Sequence, residues 1–111
     1  MSIQVVMLKS LEEKLKNKRY ASHLLRIDKL RIKLERMGNN ALKFLDMEGE
    51  FMLSEMKLHE PPYRLYVVLD QDTGVYYLVE LARKSDQDET IAGLRRKIAD
   101  SVRFGFDKVF T

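Results

Sequence analysis

From Phe51 to Leu81 the chain alternates between apolar runs and sharp breaks, and that alternation leaves few folds open. Phe51 to Met56, Tyr63 to Leu69 and Val75 to Leu81 are short runs rich in apolar, β-branched and aromatic residues, which reads as three strands. Asp70-Gln71-Asp72-Thr73-Gly74 closes on a glycine, the natural end of a hairpin loop. Between the first two runs lies KLHEPPYR, Lys57 to Arg64, where Pro61 and Pro62 lack the amide that a central ladder needs. Three consecutive strands joined by short loops imply an antiparallel sheet, and the flanking sequence must supply the layer that covers it.

The flanks are helical by period. Ser10-Leu11-Glu12-Glu13 matches a capping box ahead of Leu11 and Leu15, one turn apart. Leu24, Ile27, Leu30, Leu34 and Met37 recur at spacings of three and four, with Arg26, Lys29, Lys33 and Arg36 between them. Ser22 is the expected N-cap of this second helix, and Gly38-Asn39-Asn40 its end. A third helix carries Ile91, Leu94, Ile98 and Val102 on one face, with Asp88 or Thr90 as cap. Ile3 to Met7 reads as a first strand, and the FDKVF tail after Gly105 as an edge strand or a loose end. The expected order is β, α, α, β, β, β, α: a single α+β domain over 1–111, with two N-terminal helices packed on a small curved antiparallel sheet and a C-terminal helix.

Charge is uneven along the chain. Residues 1–45 hold eleven Lys/Arg against four Asp/Glu, whereas 46–111 hold nine against thirteen. A basic helical block of this kind suits a polyanion such as RNA or an acidic protein segment, or serves as a plain solvated face. With no cysteine, disulfides, thiolate metal sites and cysteine nucleophiles are excluded, and a cytoplasmic setting is expected. No apolar run approaches the length of a membrane span.

Candidate chemistry gathers around KLHEPPYR. If the strands on either side pair antiparallel, Lys57 and Arg64 rise from one sheet face, where two cations can stabilise charge developing on a phosphate. The plain alternative is a pair of surface cations balanced by Glu55, Glu60 and Glu80. His59 is a side chain able to move a proton near neutral pH; His23 reads as a surface or capping residue. Arg83 and Lys84, at the end of the last core strand, suit an RNA backbone. Tyr63, Tyr66, Tyr76 and Tyr77 can stack bases or simply pack, and Tyr76 and Tyr77 must face opposite ways. No metal-ligand spacing and no phosphate loop occurs.

The ordered set GNN…K.L…GEF.LSEMKL…PPYRLYVVLD…GVYYLVELARKS resembles the RelE/HigB-like toxins of bacterial toxin–antitoxin pairs, particularly the phage-derived branch. Lys57 falls where that family ends a strand with a base, and Arg64 matches the arginine of its following strand. Glu80 to Ser85 matches a basic stretch, and Ala92 to Arg103 its last helix. The resemblance implies a RelE-like fold and a ribosome-associated mRNA endonuclease that needs neither cofactor nor metal. It implies as partners mRNA on the ribosome and a cognate helix-turn-helix or acidic antitoxin. Arg64, Lys57 and His59 are the implied catalytic residues; Arg83, Lys84, Lys43 and Arg95 the implied RNA-binding ones. One departure matters. Active members place a Tyr or His late in the chain, where this sequence has Phe104-Gly105-Phe106. A gyrase-inhibiting or inactive relative, or a non-enzymatic interaction module, therefore stays open.

Overall fold

The three expected strands form and sit at the centre of a wider sheet. The computed structural model describes residues 3–59 and 62–111. In chain order the elements are β1 (Val5–Met7), α1 (Lys9–Leu15), α2 (Leu24–Met37), β2 (Lys43–Glu48), β3 (Phe51–Leu58), β4 (Tyr63–Asp70), β5 (Val75–Arg83), α3 (Gln87–Phe104) and α4 (Phe106–Val109). Tight 3-10 turns fill Lys18–His23, Gly38–Ala41 and Lys84–Asp86. The sheet order is β1-β5-β4-β3-β2.

Two features differ from the expected sheet. β1 lies parallel to β5, Val5 to Met7 beside Tyr76 to Leu78, so the sheet is mixed. A fifth strand, β2, pairs antiparallel with β3 and carries a bulge between Phe44 and Asp46. That bulge breaks the two-residue alternation by which a strand is recognised, which is why Lys43–Glu48 does not read as one.

Both faces of the sheet are covered, which accounts for the nearly unbroken apolar runs of β3 and β4. On one face α1 and α2 lay Leu11, Leu15, Ile27 and Leu34 over Met52, Met56, Leu58, Leu65, Val67 and Leu78. On the other, α3 lays Leu94 and Ile98 over Phe51, Leu53, Tyr66, Val68 and Val79. The C-terminal residues are neither strand nor loose end. They form α4, and Phe106 stacks on Phe110 at 4.7 Å and packs on Tyr77 at 4.5 Å and Phe51 at 5.5 Å.

Local signals were met unevenly. The Asp70–Gly74 loop closes as expected, with Gly74 N–H on the Asp70 carbonyl and Gly74 at φ +75°. Gly38 ends α2 at φ +56°. The expected caps fail: Ser10 lies inside the first turn of α1, Ser22 inside a 3-10 turn, and neither Asp88 nor Thr90 caps α3. α1 and α3 start before their expected caps, with Leu8 and Asp86 at the N-cap positions, whereas α2 starts after Ser22, at Leu24. His23 takes the N-cap position of α2 without a side-chain capping bond, and it is buried rather than at the surface, with its ring 5.1 Å from that of Tyr63.

The two margins of the sheet share a device. On β2, Asp46 accepts the Met47 N–H at 2.9 Å, and its other oxygen lies 3.2 Å from Arg95 Nε. On β5, beyond the reach of β1, Glu80 accepts the Leu81 N–H at 2.9 Å and Lys14 Nζ at 2.7 Å, while Lys14 also donates to the Leu81 carbonyl at 2.7 Å. Carboxylates beside bulges thus occupy backbone groups that an exposed edge would leave open.

Candidate nucleic-acid site

The register of β3 on β4 decides the geometry. Lys57 stands directly opposite Arg64, and the pair inward on the same face is Glu55 opposite Tyr66. Direct partners have Cβ atoms about 5 Å apart. Ala82 is the next neighbour of Arg64 on β5, and Lys43 that of Glu55 on β2. The face is the one covered by α3.

Arg64 is 93% covered yet poorly satisfied. One terminal nitrogen donates to the neighbouring Tyr63 carbonyl at 3.1 Å, and Nε has no partner among the described residues. A buried charged donor without a partner is costly, and a bound water, an ion or a ligand group would relieve that cost. Lys57 beside it is exposed. Register thus places two cations side by side at this end of the ladder, Arg64 buried and Lys57 exposed.

Inward of them the chemistry is tighter. Glu55 is 1% exposed, and Gln87, the first residue of α3, donates to its two oxygens at 3.0 and 3.2 Å. Lys43 Nζ lies 3.8 Å away. The Tyr66 hydroxyl is fully buried, with no hydrogen bond among the described residues. Burial first, then the Glu55 carboxylate, push its pKa up to about 12. Glu55 therefore does not act as a surface counter-charge for Lys57. Glu80 is likewise engaged at the β5 margin, while Glu60 and Pro61 lie outside the described residues. The sequence reading puts Glu55 at the surface; the signal it passes over is an acid in a strand that also carries Phe51, Leu53 and Met56.

The other sequence candidates scatter. His59 lines a groove with Arg26, Lys29, Leu30, Lys57 and Leu58, and its carbonyl accepts from Arg26. Arg64 is not part of that lining. Arg83 stands opposite Tyr63, so it belongs to the α2-side face rather than the Arg64 face. It borders a cleft of about 650 Å³ with Lys14, Arg19, Arg96 and Lys97; the Tyr63 hydroxyl beside it raises its pKa further above the ordinary value. Ala82 also lines this cleft, which brings it to the strand next to Arg64. Lys84 is exposed in the turn that follows. Arg95 is drawn to Asp46, two helical turns along α3 from Gln87. Among the described residues no three His, Cys, Asp or Glu side chains converge as a metal site, and no helix is long and apolar enough to cross a membrane.

No protein-family model matches this chain, and no curated protein does. Among solved structures, a chain of the archaeal RelE–RelB complex from Pyrococcus horikoshii superposes with a TM-score of 0.60 at 19% identity, over 76% of this chain and 97% of that one. The likeness establishes an α+β fold of the RelE type.

Proposed function

We propose that this chain is the toxin of a toxin–antitoxin pair and cuts mRNA on the ribosome. The observation that carries the reading is Arg64, a buried guanidinium with an unpartnered nitrogen beside Lys57 on a RelE-like sheet. The structural neighbour comes from a RelE–RelB complex, which supports an antitoxin partner, helix-turn-helix or acidic.

In the proposed reaction a base takes the proton of a ribose 2′-OH, the oxygen attacks the adjacent phosphorus, and the 5′-oxygen leaves with a proton. The products are a 2′,3′-cyclic phosphate and a 5′-OH end. Arg64 stabilises the charge growing on the phosphate oxygens, and Lys57 shares it. His59, in the groove that Lys57 borders, is the proton carrier. Lys84, Arg83 and Lys43 hold the backbone around the cut, with Arg95 as the outermost contact.

The test is cleavage of a short RNA by purified protein and by protein bound to translating ribosomes. Arg64→Met is expected to lower the rate by about 10²–10³-fold with an unchanged circular dichroism spectrum. A control RNA carrying 2′-deoxyribose at the cut must stay whole. Full activity in the Arg64→Met/Lys57→Ala double variant, or cutting of the 2′-deoxy control, sinks the mechanism.

A second reading rests on the tail. Phe106 packs at Phe51, six residues along β3 from Lys57 and so roughly 20 Å away. The tail brings no proton-carrying side chain to the Arg64 end. This favours a toxin-fold protein of another class, such as a gyrase inhibitor. Intact transcripts together with a DNA-damage response on expression would select it.

A further inference from the structure

The groove beside His59 has an apolar floor and α2 cations that the cleavage chemistry does not use. It has a volume of about 320 Å³ between α2 and the last residues of β3. Its floor is Leu30 and Leu58, the latter almost wholly buried. Its rim is Arg26, Lys29, Lys57 and His59, and no acidic residue stands among the described lining residues. The groove exists because β2 stops short: its first residue, Lys43, pairs with Glu55, so Lys57 and Leu58 have no β2 neighbour.

α2 sorts its charges around this groove. Asp28 and Glu35 both pair with Arg31 on one side, at 2.6 and 2.8 Å. Lys29, Lys33 and Arg36 are exposed, and among the described residues none of the three is ion-paired. Spaced by four and three, they share a face and spread three like charges over about 10 Å of helix. That stripe starts at the groove and leads away from it. Lys57 stands at the corner, bordering the groove and opposite Arg64 on the neighbouring strand.

We propose that this groove is a nucleotide subsite: it takes the base of the nucleotide flanking the cleaved phosphate, and the Lys29–Lys33–Arg36 stripe carries the RNA backbone onward. An apolar floor under a cationic rim suits a base and its phosphate together. A pocket near 300 Å³ is at the small end of ligand sites. His59 lines the groove, so its ring is within reach of a base held there. The inference rests on the RNA reading above and names where that strand runs.

The experiment uses 2′-O-methyl RNA octamers, which cannot supply the attacking hydroxyl, and measures their binding to the whole chain by fluorescence anisotropy across a salt series. Lys29→Ala/Lys33→Ala is expected to weaken binding at least tenfold at low salt. It should also reduce the slope of log affinity against log salt by about 1.4, two single-strand contacts' worth. An abasic nucleotide beside the cut should cost the wild type about tenfold and the His59→Ala protein little. Unchanged affinity and salt slope in the double variant overturn the proposal even if the wild type cleaves RNA. Tighter binding of an acidic peptide of equal charge overturns it too and makes the groove a protein-docking surface. If RNA binds through these lysines but is never cut, the subsite stands and the nuclease reading falls.

Discussion

The two ends of the β3–β4 ladder share one register and two covering layers, yet they are built from opposite materials. At one end Phe51, Met52 and Leu53 meet Val68, Leu69 and Asp70, and five of these six side chains are buried apolar groups. At the other, on the α3 side, Glu55 and Lys57 meet Arg64 and Tyr66, with two buried polar atoms left unsatisfied. The first end stabilises the sheet; the second is carried by it. An orphaned buried polar group costs about 1–3 kcal/mol, comparable to what one well-packed apolar side chain contributes. A chain selected for stability alone would fill both ends alike.

The largest expected effect comes from damaging the apolar end. Leu53→Ala, at a fully buried position, should remove about 3 kcal/mol of stability, read as a lower urea midpoint with an unchanged slope. Its RNA binding, measured where the protein is folded, should stay near wild type; a collapse of binding there would show the two ends to be one unit.

Next comes the polar end in alkali. The folded Tyr66 hydroxyl, at about 12, holds its proton more tightly than in the unfolded chain, where the ordinary value is near 10. Between those values the folded state binds more protons, so stability is whole below pH 10 and falls as pH rises towards 12. The expected loss is about 2–3 kcal/mol by pH 12. Tyr66→Phe should remove that decline and raise neutral-pH stability by about 1 kcal/mol. Equal alkaline losses in wild type and variant would assign the decline elsewhere.

The smallest effect sharpens the contrast most. Lys57→Ala removes an exposed side chain and should change stability by less than about 0.5 kcal/mol while cleavage drops severalfold. A large stability change would mean that Lys57 belongs to the scaffold.

What the sequence revealed follows the same division. The three core strands, the two long helices and the Asp70–Gly74 turn are local patterns, and each was readable. So was the pairing of Lys57 with Arg64, since it needs only an antiparallel hairpin. β2 was hidden by its bulge, and the parallel β1–β5 pairing by its distance along the chain. A second bulge, between Tyr66 and Val67 in their pairing with β5, sets Leu78 and Leu81 on one face although they are three apart. Counting by twos along β5 therefore misplaces residues, and Arg83 lands on the face away from Arg64. Glu55 reads from sequence as a surface counter-charge; it is buried, and its partner Gln87 lies 32 positions later, where no local pattern points to it.

The capped margins of the sheet bear on how another chain can join it. A strand approaching β5 beyond Leu78 finds the Leu81 amide and carbonyl already held by Glu80 and Lys14, and one approaching β2 finds the Met47 amide held by Asp46. Neither edge is sealed, since side-chain contacts are exchanged more readily than a full ladder. An incoming segment gains a hold only if its own contacts outweigh the ones it displaces. The edges therefore discourage casual strand pairing, because an incoming segment must first displace the Glu80, Lys14 and Asp46 contacts.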